Sequence, residues 1–277
     1  REDIEKNGLD ALKSLAAREH VRDPRWMDLA GVPNFVNAVP NAAIAYVCDM
    51  LGQVAPNRLG DVVDAALAKT ARAKVRDGLD HGFVESRTSA ALANLAVSHG
   101  GESIYDPACG VGGALVSAIR AGLTASQVVG HDISPYAVLQ ATQRAYLHDL
   151  NADITVADVL TSDPSPDLKF DVVIAEPPFG LALPPSVHIA DRRWRYGMAP
   201  KNSGDTLWLQ HALTHLTDDG RGFVITPVGT LTRSGTEKGI RAELLRHGCI
   251  ESLIALPPRM LPHVGANLVV WVLRPPR

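Results

Sequence analysis

Two short segments of this 277-residue chain combine residue types that chemistry needs. The first is Asp106-Pro107-Ala108-Cys109-Gly110-Val111-Gly112-Gly113. Glycines in such a run permit a tight turn and let a ligand approach the backbone closely. The second is Glu176-Pro177-Pro178-Phe179-Gly180. Two prolines cannot extend a strand ladder, so the chain must leave its sheet there on a stiffened backbone. The Phe179 ring beside them can stack on a flat substrate. Between the two, about 20 residues after the glycines, stands Gly130-His131-Asp132-Ile133. A carboxylate at that distance can accept hydrogen bonds from both hydroxyls of a ribose.

A glycine turn followed by such an acid points to a cofactor containing a nucleoside. The dinucleotide fingerprint asks for Gly or Ala at its third glycine position, where this chain has Leu115. Asp106 would also set an anion against a pyrophosphate. A carboxylate suits a ligand with a cationic end, and S-adenosylmethionine has an ammonium, a sulfonium and no phosphate. The chemistry therefore favours a methyl donor over NAD. No Walker motif and no Gly-x-Ser-x-Gly occurs, so phosphoryl transfer and serine hydrolysis find no support.

The elements that must position these residues alternate. Short apolar runs at 103–105, 128–131, 154–156, 172–175, 222–226, 250–255 and 268–273 read as strands. Helical stretches at 114–121, 135–149, 205–216 and 237–246 separate most of them. Such alternation implies βαβ crossovers, a mostly parallel sheet and ligands at the carboxyl ends of its strands. Only Pro257 to Gly265 joins the last two runs, so a hairpin there makes the final strand antiparallel. The first 80 residues read as helical, with apolar spacing at 35–51 and 59–67, and a further helix is expected at 86–98. The basic run Lys69, Arg72, Lys74 and Arg76 reads as a solvated helix face or a phosphate or partner contact.

Composition bounds the reading. Hydrophobic residues are 46% and charged residues 21%, as in a globular rather than a disordered protein. No apolar run is long enough to span a bilayer. Cys48, Cys109 and Cys249 are far apart and form no CxxC pair. No metal site or disulfide is expected, and a cytoplasmic location fits. Arg1 opens the chain without a signal-peptide pattern, as in a piece of a longer protein. Residues 1–180 carry 15 basic and 23 acidic residues, net −8, and residues 181–277 carry 12 and 7, net +5. Either the charges scatter by chance or the carboxyl-terminal part faces a polyanion.

In this order, residues ~80–277 resemble the catalytic domain of the modification (methylase) subunits of type I restriction–modification systems, which belong to the N6-adenine DNA methyltransferases. His81-Gly82-Phe83-Val84-Glu85-Ser86 stands where the family has a cofactor-contacting GxFxTP-like stretch. Asp106 to Gly113 is similar to the methyl-donor motif D-P-x-x-G-x-G-G. Asp132 matches the ribose acid, and Ala157-Asp158-Val159-Leu160 the segment that contacts the cofactor adenine. Glu176-Pro177-Pro178-Phe179 stands at the catalytic N-P-P-F motif. Gly204-Asp205 to Leu213, and the run Gly235 to Leu245, also resemble the family.

The resemblance implies an α/β fold of the class I S-adenosylmethionine-dependent methyltransferases. That fold is Rossmann-like, with a mostly parallel sheet and an antiparallel last strand. It would occupy 81–277, after a helical region over 1–80. Phe83, Val84, Ser86, Asp106, Pro107, Ala108, Gly110, Gly112, Gly113, Asp132, Ile133, Asp158 and Val159 are its expected cofactor contacts. Glu176, Pro177, Pro178 and Phe179 are expected to hold a flipped adenine of DNA, with sequence reading left to a separate specificity subunit.

Two departures stand out. Ser86-Arg87 replaces the Thr-Pro of the first motif, and Glu176 replaces the catalytic Asn. Glu176 still accepts hydrogen bonds but is one methylene longer. Two rival readings follow, a methyltransferase-fold scaffold without turnover and a methyltransferase acting on another planar amide or amine. Finally, Asp191-Arg192-Arg193-Trp194-Arg195-Tyr196-Gly197, with Lys201, interleaves cations and aromatics. It reads either as a solvated loop or as one that holds phosphates and stacks on an extruded base.

Overall fold

The computed structural model describes residues 6, 7, 10, 14, 18, 40–76, 87–187, 190–260 and 265–277. Seven strands form one sheet: β1 (Ser103–Asp106), β2 (Gln127–Asp132), β3 (Asp153–Val156), β4 (Phe170–Ala175), β5 (Leu216–Pro227), β6 (Ile250–Ala255) and β7 (Leu268–Leu273). Their spatial order is β3-β2-β1-β4-β5-β7-β6. Neighbours from β3 to β5 pair in parallel, and β7 runs antiparallel to both β5 and β6. The chain steps outward from β1 to β3 and then returns to the other side of β1 as β4. The crevice between the carboxyl ends of β1 and β4 is therefore the topological switch point, where ligands bind on such sheets.

The inner stretches of the central strands, 104–105, 172–175 and 223–225, are apolar because helices cover both faces. Along β4, Val172 and Ile174 pack with Leu92 of α3 (Arg87–His99) and Leu115 of α4 (Gly113–Arg120). Ala145 of α5 (Pro135–Leu147) joins that face. Val173 and Ala175 point to the other face, with Leu207 and Leu209 of α6 (Asp205–Thr214) and Leu244 of α7 (Thr236–Arg246). Each fully buried Leu or Ile in these layers contributes about 1.5–3 kcal/mol. α5 starts cleanly: Pro135 sits in its first turn, and the Ser134 hydroxyl accepts from the Ala137 amide at 3.3 Å.

The amino-terminal part contributes α1 (Asn41–Gly52) and α2 (Leu59–Arg76). α2 carries the apolar spacing of 59–67 and continues through the basic run to Arg76. The basic run lies on it, and the Lys69 side chain is exposed. β5 starts six residues earlier than expected. Thr217-Asp218-Asp219-Gly220 has turn-like composition, yet the strand continues through a register shift opposite Phe170 and Val172.

Candidate active site

A cleft of about 930 Å³ opens at the switch point. Asp106, Pro107, Ala108, Gly110 and Gly113 line it from the glycine turn, and Asp132 and Ile133 from the end of β2. Asp158 and Val159 follow β3, and Glu176, Pro177, Pro178 and Phe179 follow β4. Among the described lining residues there are four carboxylates and no Lys, Arg or His. This charge distribution repels a pyrophosphate and attracts a cation.

The turn is held by its own acids. The Gly110 amide donates to Asp132 Oδ2 at 2.9 Å, and the Ser134 amide to Oδ1 at 2.9 Å. Each oxygen keeps a second lone pair that can accept from a hydroxyl. Gly110 has φ 53° and open space where a Cβ would stand, so the backbone is approachable there. Asp106 is 3% exposed, and its Oδ1 accepts from the Ala108 amide at 3.0 Å. Burial, and then the nearby charges of Asp132 and Glu176, push its carboxyl up to about 8 despite that bond. A bound cation would restore the carboxylate, so the donor set fits the ammonium end of S-adenosylmethionine.

Glu176 follows β4 directly and is half-buried, Pro177 is buried and Pro178 exposed. Phe179 packs partly against the core on the α3 and α4 face. The end of this turn is pinned from α6. The Gly180 amide donates to Asp205 Oδ1 at 2.8 Å, while Arg233 Nη1 and the Thr230 hydroxyl donate to Oδ2 at 2.7 and 3.2 Å. Arg233 also donates to Glu237 Oε1 at 3.2 Å, and both carboxylates are buried. The family-like segments around 204–213 and 235–245 thus brace the Glu-Pro-Pro-Phe turn from behind.

The loop at 191–197, read either as solvated or as holding phosphates and an extruded base, does not face the cleft. Arg193, Trp194 and Tyr196 are buried, and none of residues 191–197 lines it. The Arg193 guanidinium donates to Asp191 Oδ2 at 2.6 Å, to the Leu160 carbonyl at 3.3 Å and to the Val159 carbonyl. It therefore supports the Asp158–Val159 segment from outside the cleft. Asp191, Arg192, Arg195 and Tyr196 line a second cleft with Lys169, Leu216 and Pro275, at the opposite end of the sheet. Arg192, Arg195 and Lys201 are exposed and accessible to phosphates.

Gly112 is not at the cleft either. It caps α4 with φ 75°, and a Cβ there would lie 3.3 Å from that of Ala141. Its role is the close approach of the turn to α5. The expected contacts Phe83, Val84 and Ser86 lie outside the described residues. Sequence reasoning missed Tyr136, Leu181 and Trp208, which also line the cleft. Tyr136, an exposed aromatic one turn past Asp132, was the only one with a local signal. Asp163, His211 and His215 converge closely enough for an ion. Their nitrogens are otherwise engaged: His215 with Leu168 O and Asp163 at 2.9 Å each, and His211 with Tyr105 Oη and Arg193 Nη1 at 3.0 Å each. A guanidinium at that position opposes a cation.

The profile of the N-6 DNA Methylase family matches residues 54–277, and the chain belongs to that family. It is 28% identical over 187 residues to the type I restriction enzyme MjaIX methylase subunit of Methanocaldococcus jannaschii, covering 63% of this chain and 34% of that one. It is 26% identical over 226 residues to the HindI methylase subunit of Haemophilus influenzae, covering 78% and 50%. The chain thus spans a third to a half of these curated relatives. The type I restriction-modification methyltransferase subunit from Streptococcus thermophilus superposes over 100% of this chain and 64% of its own, with TM-score 0.82 and 21% identity. A class I S-adenosylmethionine-dependent methyltransferase from Listeria monocytogenes covers 85% and 72%, with TM-score 0.64 and 17% identity. The fold is that of the class I S-adenosylmethionine-dependent methyltransferases. No helix among the described residues is long and apolar enough to cross a membrane.

Proposed function

We propose that the chain is the catalytic part of an S-adenosylmethionine-dependent DNA adenine-N6 methyltransferase of restriction–modification type. The observation that carries this reading is the acid-only cleft, in which Asp106 and the Glu176-Pro177-Pro178-Phe179 turn share the switch point. Bound S-adenosylmethionine supplies an electrophilic methyl group on a sulfonium. Asp106 takes the ammonium end, Asp132 the ribose, and Asp158 with Val159 the adenine of the cofactor. The target adenine must leave its stack to reach such a recessed site. Phe179 and Pro178 then bound its ring, while Glu176 and the Pro177 carbonyl accept its amino hydrogens. Holding both N–H groups draws the nitrogen lone pair out of ring conjugation. The Glu176 carboxylate also opposes the positive charge that develops on that nitrogen. Sequence choice and most DNA affinity come from a separate specificity subunit, which agrees with the chain's net charge of −3.

The test is transfer of a tritiated methyl group to DNA containing the partner's site, with specificity subunit present. Label at adenine N6 supports the reading. Label on RNA or protein alone replaces the substrate. Binding of cofactor with no transfer to any acceptor identifies a scaffold disabled at Glu176.

A further inference from the structure

Asp64 lies on a helix outside the sheet, yet its carboxylate is buried. α2 turns Gly60 and Asp64, one helical turn apart, toward α5 and the residue that follows it. Gly60 lies against the His148 imidazole, where a Cβ would stand 2.6 Å from Cε1. That close approach brings Asp64 to Arg144, itself 1% exposed. Arg144 Nε donates to Asp64 Oδ1 at 2.7 Å and Nη2 to Oδ2 at 3.2 Å. His148 Nε2 stands 2.9 Å from Oδ2. Burial alone would raise the Asp64 carboxyl, but its bonds to Arg144 and His148 outweigh burial and hold it low.

The remaining guanidinium nitrogen, Nη1, donates to the carbonyl of Val111. Val111 belongs to the glycine turn and lines the cofactor cleft. The adjoining Gly110 amide is held by Asp132 from β2. Residues 110 and 111 are thus fixed from two sides. One side depends on a buried guanidinium whose counter-charge comes from α2. A buried guanidinium stripped of its carboxylate is strongly disfavoured and moves toward water. Asp64 therefore decides whether Arg144 stays on Val111.

We propose that Asp64, through Arg144, is a positioning residue for cofactor binding, so that α2 is part of the cofactor site. The inference rests on the methyl-donor reading of the cleft. It also moves the functional unit across the expected boundary at residues 80 and 81.

The experiment combines calorimetry of S-adenosylhomocysteine binding with hydrogen exchange of the ligand-free protein. Three variants are compared: Asp64→Asn, the double variant Asp64→Leu with Arg144→Met, and Asp61→Asn. Asp64→Asn is expected to weaken binding about tenfold or more and to speed amide exchange at Gly110 to Gly113. Asp61→Asn removes only surface pairs with Arg58 and Arg120 and should change neither readout. The double variant replaces the buried pair with apolar side chains, which restores the melting temperature but not the affinity. Wild-type affinity in the double variant, or unchanged exchange in Asp64→Asn, overturns the proposal. Failure of the unmodified protein to bind refutes the cofactor reading instead, and the exchange data still decide whether Asp64 holds the turn.

Discussion

With its carboxyl near 8, Asp106 is protonated in about nine of ten ligand-free molecules at pH 7. Capture of an ammonium group requires the carboxylate, so binding must release that proton. The sign follows directly. The ligand-free carboxyl is raised and the ligand-bound one lowered, so affinity climbs as pH rises and levels off above about pH 8. Taking one protonated carboxyl of that value, the affinity for S-adenosylhomocysteine should rise about fiftyfold between pH 6 and pH 8. At pH 7 the cost is about 1.4 kcal/mol. Calorimetry in buffers of different ionisation enthalpy measures both the slope and the proton released, about 0.9 per site at pH 7. Asp106→Asn removes the titrating group, so its affinity should be low and flat across this range. A flat profile for the unmodified protein, or a slope that survives in Asp106→Asn, would refute the assignment of Asp106 to the cationic end.

Glu176→Gln removes one of the charges that raise Asp106. The pH profile of binding should therefore shift to lower pH while methyl transfer falls about 10²-fold, both readable on one preparation. Asp205→Ala should destabilise the fold by about 1–3 kcal/mol, because it leaves the Gly180 amide and the Thr230 hydroxyl without their acceptor while Arg233 keeps Glu237. Asp205→Asn keeps an acceptor for the Gly180 amide, so transfer should be slowed less than in Asp205→Ala; equal loss in both would remove the bracing role. Arg193→Ala should cost about 3–5 kcal/mol in denaturant unfolding, whereas Arg192→Ala and Arg195→Ala should stay within about 0.5 kcal/mol. Replacing Arg192, Arg195 and Lys201 together should flatten the salt dependence of DNA binding by the assembled complex only if that face meets phosphates.

Much of the fold was legible because its signals are local. A strand covered on both faces is apolar at every position, so Val172 to Ala175 and Leu268 to Leu273 show themselves as runs. The hairpin could be inferred from the short link between the last two strands. A glycine turn and the acid after the next strand recur at a spacing set by one βα unit, and the position of Asp106 favoured a cationic ligand by charge alone. β5 was only half visible, since Thr217 to Gly220 has the composition of a turn and lies in the register shift between the Leu216–Phe170 and Arg221–Val172 pairs.

The charged residues divide differently. Arg192 and Arg193 are neighbours of one type, yet one is exposed and the other buried on carbonyls more than 30 residues away. Asp64 and Arg144 are 80 residues apart, and Asp205 reaches back 25 residues to Gly180. A charge can be buried only where folding delivers its partner, and that partner leaves no mark in the neighbouring sequence. Gly112 illustrates the same limit within a recognised motif: its residue type follows from the turn, but its position behind the cleft depends on Ala141 of α5. Residue chemistry and local spacing specify the strands, the glycine turn and the charge of the site. Long-range packing selects which cations are spent inside the protein, holding the loops of the cleft, and which remain outside to meet a partner.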